Sequence, residues 1–404
     1  MTYRFSSLIE GLKPSEIREL LKYTSVPGMI SFGGGMPNPK SFAIDEIRDI
    51  IDHVLKTNGD LALQYGSTSG MLGLRQEIAK MVKDTEGIDT KPENIIVTSG
   101  SQQALYALPK VLANPGETVI TEAPTYIGAI SAFNANSVKM LGIPLDEHGM
   151  KTDVLQSELE RLKKSGSLPK YIYTIPTFQN PAGYTMTLER RKHLLDLSED
   201  YGVPVVEDNP YGQLRFSGKK VPSLASMDQS GEVTYLGTFS KVMTPGLRIG
   251  FIISNEKVVS KVNLLKQALD LATNSLSGYI ALEYLRRDVM AKQIPKIIEL
   301  YRGKRDLMIS SLKEHFPEGS TWSNPDGGMF LWTEVDPSID TTALIKKALE
   351  KKVAYVSGAA FFPHGEKRNN MRLNFTYSDD EEIREGISRL GEVVSQELQS
   401  VRVA

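Results

Sequence analysis

No cysteine occurs anywhere in the 404 residues. That absence removes disulfides, thiolate metal sites, iron–sulfur clusters and a catalytic thiol, and leaves Ser, Thr, Lys, Tyr or a carboxylate to serve as a nucleophile. An excess of either charge is missing too. The 47 basic and 49 acidic residues leave a net charge of -2, too little to draw nucleic acid or an acidic membrane surface by overall field. Histidine is scarce: those at 53, 148, 193, 315 and 364 are dispersed without metal spacing, so no metal site is expected. No apolar run approaches the roughly 20 residues of a membrane span, and the start of the chain has no signal-like apolar stretch ahead of its charged segment. The expectation is a cytoplasmic protein with neither a membrane nor a nucleic-acid partner. What remains, 40% hydrophobic and 24% charged residues, is the composition of an ordinary globular chain long enough for two or more domains.

From about residue 95 the chain takes on a regular rhythm. Short apolar runs at 95–98, 119–122, 171–175, 203–207, 233–237 and 249–254 read as strands, separated by amphipathic helix candidates at about 102–112, 125–134, 187–201 and 256–272. Strands apolar enough to be buried on both faces, alternating with helices, predict an α/β fold with a mostly parallel sheet. In such sheets functional groups collect at the carboxyl ends of the strands. The last third differs, with a long charged helical stretch over 277–314, the Gly327–Trp332 segment, a helix near 341–351, a strand at 371–376 and a closing helix at 379–399. It predicts a smaller α+β domain. Ahead of the sheet, apolar residues at 17, 20 and 21 with Pro14 in the first turn predict a helix over 15–23. Gly33-Gly34-Gly35 then reads as a loop; with Asn at 38 it is not a dinucleotide-binding G-x-G-x-x-G.

Each strand end carries polar chemistry. Ser99-Gly100-Ser101-Gln102 places small residues at a strand-to-helix turn, which suits a phosphate on the helix N-terminus, although a capping serine alone would look the same. Pro181 biases Asn180 away from the helical region and so presents its amide at a strand end, or simply makes a turn. Glu207 and Asp208 close an apolar strand, where successive side chains face opposite ways, so only one can enter the site. An aspartate buried there needs a cationic or protonated partner; an exposed turn aspartate would not. Lys241 follows Thr238 and Ser240 at the next strand end, with Arg248 seven residues on, combining an amine nucleophile with an anion clamp. Most lysines are solvated, but this one has company. An anion cradle, a carboxylate, an amide, Tyr211 and a lysine are what a pyridoxal phosphate (PLP) site requires.

In this order the segments 30–39, Gln64-Tyr65, 99–102, Tyr126, 177–183, 208–211, 238–250, 325–332 and 371–375 resemble the class I and II aminotransferases of PLP fold type I, in particular the kynurenine and 2-aminoadipate aminotransferases. The resemblance spans essentially the whole chain. It implies a large domain with a mostly parallel seven-stranded sheet over 46–285, a small α+β domain over 286–404, and an N-terminal helix and substrate loop over 1–45 packed with the small domain. It makes Lys241 the Schiff-base lysine and Asp208 the partner of the pyridinium nitrogen. Asn180 and Tyr211 would bond the ring's phenolic oxygen, and Tyr126 would stack on the ring. Ser101, Gln102, Thr238, Ser240 and Arg248 would hold the phosphate. Tyr65 would reach the phosphate of a neighbouring subunit, implying a homodimer. Arg372 would fork onto the substrate α-carboxylate, near Asn180 and the Gly35 backbone, and Arg18 would meet a distal carboxylate.

The implied reaction moves the amino group of an L-amino acid, aromatic, 2-aminoadipate or broad in range, to a 2-oxo acid such as 2-oxoglutarate. Two other readings stay in view. One is a β-eliminating C–S lyase of the same fold, which would need no 2-oxo acid acceptor. The other is a PLP-binding domain of a transcription regulator, which the resemblance disfavours because the enzyme-like motifs begin near residue 15, ahead of which no helix-turn-helix fits.

Overall fold

The computed structural model describes residues 3–12 and 26–403; the helix expected at 15–23, with Arg18, lies outside them. The main sheet has eight strands: β1 (Ile95–Ser99), β2 (Thr118–Ala123), β3 (Lys139–Asp146), β4 (Gly149–Met150), β5 (Ile172–Thr174), β6 (Val205–Asp208), β7 (Val233–Thr238) and β8 (Ile249–Ile253). Their spatial order is β1-β8-β7-β6-β5-β2-β3-β4. Only β8 and β4 run against the rest.

The sheet is buried because helices cover both faces, and alternation along each strand feeds two separate cores. On one side Tyr171, Tyr173, Val206 and Leu236 pack with Leu105 and Leu108 of α3 (Ser101–Leu112), Phe133 of α4 (Ile127–Asn134) and Val262 of α7 (Glu256–Leu269). On the other, Ile120, Ile172 and Val205 meet Leu155 and Leu159 of α5 (Thr152–Lys164) and Leu194 of α6 (Leu188–Tyr201). Two earlier helices, α1 (Ile44–Ala62) and α2 (Leu72–Glu86), join a third core around α8 (Ser275–Arg286).

A four-stranded antiparallel sheet follows in the order β9-β10-β12-β11, from β9 (Thr321–Trp322), β10 (Phe330–Glu334), β11 (Val356–Ser357) and β12 (Asn370–Asn374). Around it lie α9 (Val289–His315), α10 (Thr341–Glu350) and α11 (Asp380–Val403). Ile297, Tyr301, Met308 and Leu312 of α9 and Ile383, Ile387, Leu390 and Val394 of α11 share one core, spaced to form a single stripe on each helix. Ile30–Ser31 pairs in parallel with Val353–Ala354, so the glycine loop is tied to this part of the chain.

Three expectations need correction. The sheet has eight strands, not seven, because β4 folds back on β3 as a two-residue hairpin partner. Strand β3 is absent from the strands read in the sequence: Gly142 and Pro144 interrupt its apolar residues and only Met140 and Ile143 are fully buried, as suits a strand near the sheet edge. The helical stretch 277–314 is two helices, interrupted where Asp288 adopts a left-handed φ of 54°.

Candidate active site

The carboxyl ends of the strands open into a cavity of about 620 Å³ between the two sheets' segments. Gly35, Ser101, Gln102, Tyr126, Asn180, Asp208, Tyr211, Thr238, Ser240, Lys241, Arg248 and Arg372 all border it. Tyr65 does not: it is 85% exposed and lies beside a separate cleft with Tyr279 and Ser275. A larger cavity of about 920 Å³ adjoins through Ile127 and Ser131, but it has none of the carboxylates, lysines or tyrosines expected to act. Chemistry, not volume, marks the site.

The two carboxylates of β6 divide as strand alternation requires. Glu207 turns away from the cavity and accepts from the N–H groups of Leu224 (3.1 Å) and Ala225 (2.8 Å), with the buried guanidinium of Arg191 at 4.0 Å. Asp208 turns toward it. Its Oδ2 accepts from the hydroxyl of Tyr173 at 2.8 Å, while its buried Oδ1 has no partner among the described residues. Burial pushes the Asp208 carboxyl up to about 7, against the pull of the Tyr173 bond. An ionised Asp208 therefore calls for a cation on that free oxygen.

Lys241 stands just past β7, its backbone fixed by the buried Phe239 and Val242 on either side. The amine donates to the Gly35 carbonyl at 2.8 Å. Burial first, then the cations Arg372 and Arg248, lower it from 10.5 to about 8. At that value a usable fraction is neutral and nucleophilic near pH 7.

Arg372, from β12, is fully buried. One nitrogen donates to Asn180 Oδ1 (3.0 Å) and another to the Gly33 carbonyl (2.8 Å), while Nε finds no partner among the described residues. The guanidinium lies 4.1 Å over the Phe330 ring and 5.1 Å over Phe361. Burial lowers it to about 10, which leaves it charged. Both of its hydrogen-bond acceptors are neutral. A buried cation so placed is a receptor for an anion. Asn180 in turn donates to the Tyr211 hydroxyl at 3.2 Å, linking the guanidinium to the phenol.

The anion cradle forms where α3 begins. Gly100 takes φ 72°, and a Cβ there would come 2.4 Å from a guanidinium nitrogen of Arg248. Gly250 in β8 is equally constrained, because a Cβ would meet the Ser101 N–H nitrogen at 2.6 Å. The first turn of α3 thus lies directly against β8, with Thr238 and Ser240 linked by a 3.0 Å hydroxyl bond nearby. A twelve-residue helix N-terminus, hydroxyls and an arginine together have the chemistry a phosphate would need. Gln102 borders it but turns its amide onto the Gly128 carbonyl at 2.8 Å. Tyr126 folds its ring over Gly128, where any Cβ would collide with it.

Three residues that shape the site carry no signal in the sequence. Tyr173 lies inside an apolar strand run and reads as core. Glu122, at the end of β2, is fully buried and accepts from Thr174 (2.6 Å), Gln179 (2.9 Å) and the Ile175 N–H (3.3 Å). Burial pushes it up to about 7. Gln179 also accepts from the Ala182 N–H at 2.8 Å, so this network holds the loop that presents Asn180.

A family model described as aminotransferase class I and II matches residues 36–390. The chain belongs to the class I and II aminotransferases. The aromatic-amino-acid aminotransferase 1 of Thermococcus litoralis is 46% identical over 98% of this chain and 94% of its own. A Pyrococcus horikoshii kynurenine aminotransferase, solved with PMP, superposes with a TM-score of 0.94 at 44% identity, covering 98% of this chain and 97% of that one. LysN, the α-aminoadipate aminotransferase of Thermus thermophilus, solved with N-(5'-phosphopyridoxyl)-L-leucine, gives 0.90 at 35% identity over 98% of both.

This aminotransferase uses PLP. Its residues fit the cofactor: a carboxylate oxygen left without a donor suits a protonated ring nitrogen, a softened lysine suits an aldehyde, and the α3 cradle suits a phosphate. Among the described residues, no helix is long and apolar enough to cross a membrane.

Proposed function

We propose that the aminotransferase acts on L-amino acids with aromatic or other largely apolar side chains and passes the amino group to a 2-oxo acid such as 2-oxoglutarate. Bound PLP supplies an aldehyde that takes up the amino group and a ring that accepts the electron pair released at the substrate Cα. The chain's own residues do the rest. Lys241 holds the cofactor, and its free amine beside Cα accepts and returns the proton. Asp208 keeps the ring nitrogen protonated, an interaction that strengthens as charge enters the ring. Ser101, Gln102, Thr238, Ser240 and Arg248 hold the phosphate, Asn180 and Tyr211 the phenolic oxygen, and Tyr126 one ring face.

The observation that carries this reading is Arg372, a fully buried guanidinium whose acceptors are neutral and which faces the same cavity as Lys241. A substrate α-carboxylate supplies the missing charge bidentately and orients Cα near Lys241 and the Gly35 backbone. Beyond it, Phe330, Ile127 and Met36 border the cavity, and among the described residues no cation other than Lys241, Arg248 and Arg372 does. That favours an apolar side chain; an acidic one requires Arg18. Half-reaction rates with acidic, aromatic, branched and small amino acids, read from the cofactor spectrum, test this. Phenylalanine and leucine should outpace alanine, Arg18→Ala should slow only acidic substrates, and steady turnover should require a 2-oxo acid.

The same reading makes the enzyme a cytoplasmic homodimer in which Tyr65 reaches the phosphate of a second copy. The exposure of Tyr65, and of Leu61, Leu63 and Leu72 along the same stretch of chain, supports that. It also divides the chain at 45 and 285, a division supported by the pairing of Ile30–Ser31 with Val353–Ala354 and by the separate small sheet.

A further inference from the structure

Tyr173 is a buried polar group that the roles above leave without a task. It sits in the middle of β5, fully buried, with its ring held edge-on by Phe133 at 5.4 Å and 90°. Its hydroxyl donates to Asp208 Oδ2 at 2.8 Å, and it is the one hydrogen-bond donor that reaches the Asp208 side chain among the described residues. The other oxygen is buried without a partner among the described residues, and Asp208 itself borders the cavity.

We propose that Tyr173 is a positioning residue that keeps Asp208 a carboxylate and aims its Oδ1 at the cofactor's ring nitrogen. The proposal rests on the reading of Asp208 given above. The physical reason is the balance at one buried acid. Burial favours the neutral form, and only hydrogen bonds or cations restore the charged one. Tyr173 supplies the single such bond among the described residues. Burial, together with the negative fields of Asp208 and Glu122, pushes the phenol far above its ordinary value, so it stays a donor across the working pH range. By occupying Oδ2 it also fixes the carboxylate's rotation. Without the hydroxyl, Asp208 becomes the neutral acid, which cannot pair with a protonated ring nitrogen.

The test compares two cofactors on the apoenzyme, PLP and 1-deazapyridoxal 5'-phosphate, in which a C–H replaces the ring nitrogen. Dissociation constants are measured by equilibrium dialysis for the wild type, Asp208→Asn and Tyr173→Phe, with melting temperatures alongside. The wild type should prefer PLP, and Asp208→Asn should lose most of that preference. Tyr173→Phe should lose about tenfold of it, as expected for one hydrogen bond to a charged group. A wild type that shows no preference, or an Asp208→Asn that keeps it, overturns the reading of Asp208 and the proposal with it. If Asp208→Asn loses the preference while Tyr173→Phe keeps it within twofold, the proposal alone falls. A purely structural role for Tyr173 would weaken both cofactors equally and leave the ratio unchanged. Should Tyr173→Phe not fold, Phe133→Leu, which loosens the ring and keeps the hydroxyl, takes its place: a reduced ratio supports the proposal and an unchanged ratio rejects it.

Discussion

Glu207 and Asp208 are neighbours on one strand, both fully buried and both pushed by burial up to about 7, yet they face two different regions of the molecule. Glu207 looks into the packing between β6 and the short helix Leu224–Met227, where two N–H groups and Arg191 complete it. Asp208 looks into the cavity with one oxygen unmet. The two fully buried arginines repeat the contrast. Arg191 donates to the carbonyls of Met186, Pro222 and Pro176 and to the Thr177 hydroxyl, with a carboxylate nearby. Among the described residues Arg372 has two neutral acceptors and an Nε without a partner. Burial of charge is common to both regions; of these four groups, only the two that border the cavity keep an atom without a partner among the described residues.

The contrast is open to attack by substitution. The largest effect is expected from Arg372→Ala, which should lower kcat/KM about 10³-fold by removing the carboxylate receptor, with melting temperature little changed. Arg191→Met should do the opposite, costing about 3–5 kcal/mol of stability in urea unfolding because it strands the buried Glu207. Next, Asp208→Asn should lower kcat about 10²-fold. Glu207→Gln should leave kcat within about threefold and lower the melting temperature by several degrees. Equal kinetic losses at Asp208 and Glu207 would erase the distinction.

A smaller effect sharpens the picture at Lys241. Its depressed value predicts that the rate of PLP uptake by apoenzyme rises with pH up to about 8 and then levels off, because only the neutral amine attacks. A rate still climbing at pH 10, as for an ordinary lysine, would contradict the burial. A change confined to the cradle is expected from Gly250→Ala, whose Cβ displaces the first turn of α3 and should weaken PLP binding about tenfold, read by dialysis.

Much of this is legible in the sequence. Lys241, Asp208 and Asn180 stand at strand ends, where sequence punctuation is strong: an apolar run stops and polar residues follow. Strand β3 is not legible, because Gly142 and Pro144 interrupt its apolar residues and only Met140 and Ile143 are fully buried, with no clean alternation. Helices α1, α2 and α5 lie outside the segments that the rhythm singled out, and the break at Asp288 sits inside an otherwise helical pattern. Tyr173 illustrates the deeper limit. A tyrosine within Tyr171-Ile172-Tyr173 reads as core, which it also is; that its hydroxyl meets Asp208 depends on the register of β5 against β6, where Tyr173 pairs with Val206. The unmet nitrogen of Arg372 is likewise a property of three-dimensional surroundings that no local pattern encodes.

The glycine loop has a mechanical consequence. Gly33 and Gly35 offer their carbonyls to Arg372 and Lys241 respectively, two residues apart on one strip of backbone. That strip is anchored just upstream by the Ile30–Ser31 pairing and by the 2.8 Å bond from the Asn374 N–H to the Phe32 carbonyl. The two buried cations of the cavity are therefore tethered to the same short strip. The bond that Arg372 makes to Gly33 and the bond that Lys241 makes to Gly35 thus share one short anchored stretch of main chain, with no helix between them.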